Sequence, residues 1–345
     1  MSSRSLVRSP LSGFTMEVIE TAYAGHAKTI ASTIDLSKFP DGIICVGGDG
    51  IVNEVLNGLL GRDNWNEAIK LPIGIIPAGS DNSLVWTVLG IRDPVSAANA
   101  VTKGGSTPID VFAVKRSQAG FTHFGLTASY FGFVADVVQL SEDFRLQFGP
   151  FRYVVAGFLK FLSLPKYKFE VEYLPSSPGR GLELKPLTED NWITRKGEFL
   201  GIFSCNHFCK PAQGLLSPII APKAQHNDGN LDLILVHGSG RLRLFLLLHC
   251  LSALLASFIT FCGICQGISG LSYFHMLLFA KTLITESWPL QQVQVKQVKI
   301  RPLGNTHNGC GVDGELLRAE DQTEWQCSLL PAQGRLLGQH PRASN

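Results

Sequence analysis

A glycine turn near the start of the chain stands between an apolar run and a helical pattern. Residues 42–46 predict a buried strand, Gly47-Gly48-Asp49-Gly50 predicts a turn, and apolar residues from Ile51 onward recur at helical spacing. A strand, a glycine turn and a helix N-terminus form the arrangement in which backbone N–H groups can face a phosphate. Because most such turns only connect elements, this one alone leaves both interpretations open.

A second glycine turn follows the next predicted strand. Residues 73–76 are followed by Pro77-Ala78-Gly79-Ser80-Asp81-Asn82 and then by apolar residues at helical spacing. The ordinary structural interpretation is that Ser80, Asp81 or Asn82 caps the helix. Two successive parallel strands that end in such turns place both loops at the carboxyl edge of one sheet, where α/β proteins bind ligands. The pair of turns therefore predicts a nucleotide cleft.

A third candidate lies near the far end of the chain. Residues 293–300 alternate with period two, which predicts a strand, and Gly311-Val312-Asp313-Gly314-Glu315 follows them. A Val-Asp-Gly turn is common at hairpin tips, and spacing alone favours that interpretation. The functional alternative is that Asp313 and Glu315 hold a magnesium ion together with its waters.

The order of predicted elements divides the chain near Asp110. Before it, strands alternate with helical stretches such as 26–34 and 51–60, which is the pattern of a parallel α/β sheet. After it, strands follow one another, which predicts an antiparallel β-sandwich with one helical interruption between Asp136 and Leu164. These strands cover residues 111–115, 123–129, 168–173, 199–205 and 231–236, with a hairpin tip at Asn227-Asp228-Gly229-Asn230.

The predicted fold is therefore an α/β nucleotide-binding domain followed by a β-rich domain. The first covers residues 1–110, and the second covers 111–330 with an apolar insertion at 244–290. Residues 331–345 form a tail, for which a return to the first domain is one option.

Composition limits the classes of partner. A chain of 345 residues, 45% of them hydrophobic, is long enough to form two hydrophobic cores. The charged residues make up 17% and give a net charge of +2. No basic stripe is interleaved with aromatic residues, so we expect no nucleic-acid partner. Eight scattered cysteines predict a reducing, intracellular compartment.

Together, these motifs resemble the diacylglycerol kinase catalytic-domain superfamily, and within it the chain is most similar to plant sphingoid long-chain base kinases. The resemblance includes Asn53-Glu54-Val55-Leu56-Asn57-Gly58 beside the three turns, and it runs from about Thr15 to Gly338. Three motifs in register are far more specific than one glycine turn. The family fold implies an active site in the cleft between the α/β domain and the β-rich domain.

The resemblance also implies a function. It implies a kinase that uses ATP and Mg²⁺ to phosphorylate the primary hydroxyl of sphingoid long-chain bases at a membrane surface. Asp49 corresponds to the general base, and Asp313 to a magnesium-associated carboxylate. Asp136 would lie beside the polar head of the lipid, although relatives carry the substrate-reading carboxylate two residues further on, where this chain has Val138. The implied nucleotide contacts are Thr21, Gly47, Gly48, Gly50, Glu54, Gly79, Ser80, Asn82, Arg145, Arg152 and Glu315.

Two departures from the family pattern bear on this function. Residues 2–5 are a poor strand and the strand at 15–20 follows almost at once, which leaves no room for the first crossover helix of the family. Residues 244–280 contain no Asp, Glu, Lys or Arg, a span well above the roughly 20 apolar residues that cross a bilayer. It could be a membrane hairpin, a lid over the acyl chain or an insertion from unspliced sequence. We favour the insertion, with membrane contact as its physical consequence.

Three other functions stay open on the sequence. A ceramide or diacylglycerol kinase fits the same motifs, because the group that reads the lipid amine is not fixed. An NAD kinase shares the Gly-Gly-Asp-Gly turn but lacks a counterpart to residues 311–315. A lipid-binding pseudokinase is suggested by the missing first helix.

Overall fold

Helices and strands alternate in the first third of the chain, and strands predominate in the parts of the remainder that the structure describes. The computed structural model describes residues 4–8, 15–79, 82–117, 120–149, 152–163, 166–176, 191–208, 221, 223–238, 290–304, 306, 309–318 and 323–338. The helices are α1 (His26–Thr33), α2 (Asp49–Leu60), α3 (Trp65–Ala68), α4 (Ser83–Leu89), α5 (Pro94–Lys103), α6 (Phe133–Asp143), α7 (Arg145–Phe148) and α8 (Arg152–Ser163), with a 3₁₀ turn at Leu36–Lys38. The strands are β1 (Arg4–Arg8), β2 (Thr15–Ile19), β3 (Ile43–Gly47), β4 (Ile73–Pro77), β5 (Ser106–Ile109), β6 (Phe112–Arg116), β7 (Thr122–Gly125), β8 (Ala128–Gly132), β9 (Lys168–Pro175), β10 (Ile193–Cys205), β11 (Leu231–His237), β12 (Leu290–Pro302), β13 (Cys310–Val312), β14 (Glu315–Leu317), β15 (Trp325–Leu329) and β16 (Gly334–Leu337).

A four-stranded sheet in the order β3-β4-β16-β5 forms the α/β unit. β3 and β4 pair in parallel, from Ile43 opposite Ile73 to Gly47 opposite Pro77. β16, from the C-terminal end of the chain, pairs in parallel with β4 and antiparallel with β5. The predicted α/β fold with a parallel sheet is therefore confirmed.

Helix α2 is fixed against this sheet by its apolar face. Val52, Val55, Leu56 and Leu59 recur at helical spacing, and all four are buried. On the side facing α1, a Cβ at Gly58 would overlap the carbonyl oxygen of Lys28, so only glycine allows the two helices to approach this closely. The result is a rigidly held helix whose first residue, Asp49, follows directly on the glycine turn.

The N-terminal strands lie outside the α/β sheet. β1 and β2 pair antiparallel as a separate two-stranded sheet, with Arg4 opposite Ile19. The expectation that residues 2–5 do not form a strand is thus wrong for Arg4 and Ser5, which begin β1. Because the pairing is antiparallel, no parallel crossover joins β1 to β2, as the short spacing predicted.

Ten strands form the antiparallel sheet that follows. Its order is β14-β13-β8-β10-β11-β12-β15-β6-β7, and β9 pairs with both β10 and β12. The long strands β10 and β12 pair with β11 through one half and with β9 through the other half. The predicted antiparallel β-rich unit is confirmed, and these four strands close on themselves around a core that includes Phe169, Tyr173 and Ile202.

Two local predictions differ from the structure. Residues 123–129 were expected as one strand, but they form the end of β7 and the start of β8, separated by Leu126 and Thr127. The Asn227–Asn230 stretch is a turn leading into β11, whereas β10 already ends at Cys205, so it is not the tip of a tight hairpin.

The described helices include none with both the length and the apolar character needed to cross a membrane. The apolar stretch 244–280 lies outside the described residues.

Candidate functional site

The two glycine turns touch each other at the carboxyl ends of β3 and β4. A Cβ on Gly48 would lie 3.2 Å from the Cα of Gly79, and a Cβ on Gly79 would overlap the Cα of Gly48. The N–H of Ala78 also donates to the carbonyl of Gly47 at 2.9 Å. Backbone therefore meets backbone, and side chains are excluded between the turns. A Cβ on Gly50, in the first turn of α2, would meet nothing within 4 Å.

Asp49 links the two turns through its carboxylate. Its oxygens accept hydrogen bonds from the N–H groups of Ser83 at 2.7 Å and Leu84 at 3.3 Å. These are the first residues of α4, whose N-terminal N–H groups have no partner within the helix. The residue predicted as general base therefore also caps the neighbouring helix.

Asn82 closes the second turn. Its side-chain oxygen accepts the N–H of Gly79 at 3.0 Å, and its side-chain nitrogen donates to the carbonyl of Gly79 at 2.8 Å. Asn82 itself has a left-handed backbone with φ of 55°, which asparagine tolerates better than most residues. Ser80, another predicted nucleotide contact, lies outside the described residues.

Glu54 holds the start of α1. Its carboxylate accepts the N–H groups of Gly25 at 2.8 Å and Ala27 at 3.1 Å. Thr21 lies on the exposed loop just before this point. The structure therefore places both predicted nucleotide contacts beside α1, with the oxygens of Glu54 already bound to backbone.

Two asparagines on the buried face of α2 bind the end of β7. The Asn57 side chain donates to the carbonyl of Phe124 and accepts its N–H, both at 2.9 Å. Asn53 donates to the same carbonyl and to Asp313, each at 3.0 Å, and its oxygen lies 3.0 Å from Nε2 of His123. Helix α2 is thus tied by side chains to the antiparallel sheet.

Asp313 lies at the tip of the predicted hairpin between β13 and β14. Val312 pairs with Glu315, and both central residues have positive φ (48° for Asp313 and 89° for Gly314), as a type I′ turn requires. The carboxylate accepts four hydrogen bonds, from the N–H groups of Leu126 (2.7 Å), Thr127 (2.9 Å) and Ala128 (3.0 Å) and from the side chain of Asn53 (3.0 Å). Burial raises the pKa of this carboxyl, and those hydrogen bonds oppose the rise.

This geometry does not fit the predicted magnesium ligand. An ionised carboxylate offers about four lone-pair positions, and the four donors to Asp313 use that many. Within the ranges that the structure describes, no three His, Cys, Asp or Glu side chains are grouped to hold a metal ion. The oxygens of Asp313 bind three backbone N–H groups and the Asn53 side chain, a donor set that a magnesium ion does not fit, and a metal at Asp313 stays a prediction.

Glu315 and His123 lie next to Asp313. Burial, together with the negative charges of Glu54 and Asp313, raises the pKa of Glu315. Burial and the nearby charge of Lys28 lower the pKa of His123 to about 4, so its ring is neutral at physiological pH. His123 was not predicted from the sequence, because a single histidine in a strand carries no spacing signal.

Tyr130 supports the hairpin from β8. A Cβ on Gly311 would overlap the Tyr130 ring, so glycine is required where the ring crosses β13. The first glycine of the Gly-Val-Asp-Gly-Glu motif therefore has a packing role.

The two predicted phosphate-binding arginines lie on α7 and α8. Nη1 of Arg152 is 3.0 Å from a carboxylate oxygen of Glu142, and Nη2 donates to the hydroxyl of Tyr153 at 2.7 Å. Arg145 is the first residue of α7, and its side chain is not among the described features. Arg152 thus forms the ion pair that is the ordinary role of such a residue.

Asp136, the predicted lipid-head residue, is buried and paired. One carboxylate oxygen accepts hydrogen bonds from Lys160 on α8 at 3.1 Å and from the hydroxyl of Tyr167 at 2.9 Å. The Asp136 side chain is 4% exposed. Its negative charge is therefore balanced by a cation of the protein itself.

The sequence of the chain matches those of known proteins. Residues 5–114 match the diacylglycerol kinase catalytic domain family. "Sphingoid long-chain bases kinase 1" of Arabidopsis thaliana is 33% identical over an alignment that covers 96% of this chain and 63% of the relative. "Ceramide kinase" of Homo sapiens is 30% identical over 69% of this chain and 52% of the relative. The chain thus spans between about half and 63% of the length of these relatives.

A solved structure has the same fold. The crystal structure of a diacylglycerol kinase from Bacillus anthracis superposes with a TM-score of 0.55 at 19% identity, covering 92% of this chain and 84% of that chain. At this identity the likeness establishes the fold alone. The domain match and the relatives agree with the turns described above, so the predicted resemblance is confirmed: residues 5–114 match the diacylglycerol kinase catalytic domain, and the chain as a whole is similar to sphingoid base kinases.

Proposed function

We propose that the protein is an ATP-dependent lipid kinase that phosphorylates the primary hydroxyl of sphingoid long-chain bases. The observation that supports this proposal is that two glycine turns touch each other and that the helix starting there also binds the third motif. Gly48 contacts Gly79, Asp49 accepts hydrogen bonds at the start of α4, and Asn53, one helical turn beyond Asp49, bonds to Asp313. The names of the relatives, which include sphingoid base, sphingosine and ceramide kinases, support a sphingolipid substrate.

The glycine turns supply the nucleotide site in this proposal. Backbone N–H groups at a helix N-terminus, with no Cβ in the way, can approach a phosphate closely. Gly48 and Gly50 flank Asp49 at the start of α2, and a Cβ on Gly50 would meet nothing within 4 Å. Gly47 and Gly79 remain proposed contacts beside them, with Gly79 packed against Gly48 and its N–H bound to the Asn82 side chain. Phosphoryl transfer needs this positioning and charge neutralisation more than covalent chemistry, so a backbone cradle is well suited to it.

Asp49 is the proposed general base. It would take the proton from the lipid hydroxyl as that oxygen attacks the terminal phosphorus of ATP. The backbone N–H groups of Ser83 and Leu84 fix the orientation of the carboxylate beside the cradle. Thr21, Glu54, Ser80, Asn82, Arg145, Arg152 and Glu315 remain proposed nucleotide contacts. Because the geometry at Asp313 does not fit a metal, we assign no protein ligand to Mg²⁺.

A ceramide kinase is the second candidate, because the pairing of Asp136 with Lys160 removes an argument for a sphingoid base over ceramide. A sphingoid base carries an ammonium group that a carboxylate would recognise, whereas ceramide carries a neutral amide. Asp136 already pairs with Lys160 at 3.1 Å, and Val138 offers no charge. The described part of α6 therefore gives the ammonium group no advantage over the amide at these positions.

Membrane association is part of the proposal. Large apolar side chains are exposed on α7 and α8 within a short stretch of chain: Leu146, Phe148, Tyr153, Phe158, Leu159 and Leu162. Such a surface suits contact with the membrane that holds a lipid substrate.

A lipid panel tests the proposed function. The purified protein would receive radiolabelled ATP with sphingosine, dihydrosphingosine, phytosphingosine, ceramide or diacylglycerol in mixed micelles, and NAD in a parallel reaction. Label in a chloroform-extractable base phosphate supports the proposal, and label in ceramide phosphate supports the second candidate. Label in NADP, or base binding without turnover in both wild type and Asp49→Asn, would overturn both.

A further inference from the structure

We infer that Asp313 is a positioning residue that clamps helix α2 to the antiparallel sheet, rather than a metal ligand of the kinase. This inference rests on the proposed function only where its test measures catalysis. It assigns the carboxylate of the Gly-Val-Asp-Gly-Glu motif to the protein's own backbone.

The first argument is the number of donors around the carboxylate. Oδ1 accepts the N–H groups of Thr127 and Ala128, and Oδ2 accepts Leu126 N–H and the Asn53 amide. Mg²⁺ binds its oxygen ligands at about 2.0–2.1 Å in a strict octahedron, so it would need a position on the carboxylate that one of these donors now occupies. A metal on Asp313 would therefore displace at least one of them and leave that donor without its partner.

The second argument is where the donors come from. Residues 126–128 form the bend between β7 and β8, and Asn53 belongs to α2. Asp313 therefore joins three separate elements: the hairpin, the bend and the helix that begins at Asp49. Asn57 adds a second tie from α2 to Phe124, just before the bend.

The third argument concerns what these ties align. The nucleotide is proposed at the start of α2, and the lipid on the side of the antiparallel sheet. Their reacting atoms can meet correctly only if the helix and the sheet hold a fixed relation. A misplacement of about 1 Å can lower a rate about 100-fold while binding persists. Loosening the clamp should therefore lower kcat more than it raises KM for ATP.

Three variants test this role. Asp313→Asn keeps the size of the side chain but turns N–H groups toward donors. Asn53→Ala removes the side chain by which α2 binds Asp313, the carbonyl of Phe124 and the ring of His123, and it leaves the three backbone donors to Asp313 in place. Asp93→Asn is the matched control, because Asp93 accepts the N–H of Ser96 at 2.8 Å as an exposed helix cap, where asparagine serves equally well.

Hydrogen exchange on the ligand-free protein gives the direct structural measurement. In Asp313→Asn, the amides of residues 126–128 should exchange faster, whereas in Asp93→Asn their protection should match wild type. Unchanged protection in Asp313→Asn would overturn the inference. This measurement needs neither ATP nor lipid, so it can be interpreted even if the lipid panel shows no kinase activity.

Kinetics separate positioning from metal binding. For Asn53→Ala we expect kcat about 10- to 100-fold below wild type, with little change in KM for ATP. For Asp313→Asn we expect at least as large a loss of kcat, with half-maximal activation at the wild-type Mg²⁺ concentration. An increase of about tenfold or more in that Mg²⁺ concentration would show that Asp313 acts through the metal, directly or through a ligand, and would overturn the inference. If Asp313→Asn does not fold, wild-type kcat in Asn53→Ala would overturn it.

Discussion

The glycine turns and the hairpin of residues 312–315 differ in how their surroundings are filled. At the hairpin, the anion is internal: the Asp313 carboxylate already binds three consecutive N–H groups. At the glycine turns, Gly48 and Gly79 exclude side chains, and the space beside Gly50 is open. The comparison teaches that a carboxylate in a recognised motif can be structural, whereas an absence of side chains can mark the place for an external phosphate.

Among the proposed variants, Asp49→Asn should have the largest effect, and it tests the glycine turns. A general base contributes about 10²–10⁴-fold, so phosphoryl transfer should fall by that factor. The amide oxygen can still accept the N–H of Ser83, so the thermal unfolding temperature should stay close to wild type. Initial rates with radiolabelled ATP measure the first expectation. Near wild-type turnover would reduce Asp49 to a helix cap.

Gly79→Ala tests whether the contact between the turns matters. The new methyl group would overlap the backbone of Gly48 and push the turns apart, which should destabilise the protein by about 1–3 kcal/mol. We expect ATP affinity, measured by calorimetry, to fall about tenfold, equivalent to about 1.4 kcal/mol. Gly157→Ala on α8 is the control, because a Cβ there meets nothing within 4 Å. Wild-type ATP affinity in Gly79→Ala would argue against a cradle built from both turns.

Acid titration tests the surroundings of the hairpin, where His123 is buried beside Asp313. His123 and His207 are buried with pKa values of about 4, so below about pH 6.5 the unfolded state binds protons that the native state does not. Stability should therefore fall as pH drops from about 6.5 to about 4, by up to roughly 3 kcal/mol for each histidine. Urea unfolding across this range measures the slope. In His123→Gln, the free energy of unfolding should depend less steeply on pH, and the remaining dependence should come from His207. An unchanged pH dependence in this variant would show that His123 is not held neutral.

Gly50→Ala is the smallest expected effect and the most selective one. Alanine in place of glycine stabilises a helix by about 0.5–1 kcal/mol, and the added Cβ would meet no protein atom within 4 Å. If the space holds a phosphate, ATP should bind more weakly although the protein unfolds at the same or a higher temperature. Equal affinity for ATP would place the nucleotide elsewhere.

The sequence predicted those features that depend on local order along the chain. A strand, a turn and a helix are adjacent in sequence, so the turns at Gly48 and Gly79 and their shared edge of the sheet could be predicted. The I′ turn at Asp313 followed from Val-Asp-Gly in the same way. The hydrogen bonds of the Asp313 carboxylate could not be predicted in this way. They depend on how β13 pairs with β8, which places Val312 opposite Ser129, a residue far away in the chain.

The partners of charged residues were harder to predict from the sequence pattern. The partners of Asp136, Arg152 and Glu54 lie on other turns or other helices, and sequence spacing does not reveal which charge meets which. Asn53 and Asn57 did carry a signal. They recur four residues apart among the apolar residues of α2, and a buried amide at such a position needs a specific partner.

The position of β16 has a consequence for how the protein is made. This strand is donated from near residue 337 and lies between β4 and β5, so the sheet that carries the glycine turns is incomplete while the ribosome is still translating the antiparallel unit. Until then, the edges of β4 and β5 present unpaired backbone, a condition that favours chaperone binding or aggregation of nascent chains. The sheet that carries the glycine turns should therefore be completed only once β16 has been translated and has paired with β4 and β5.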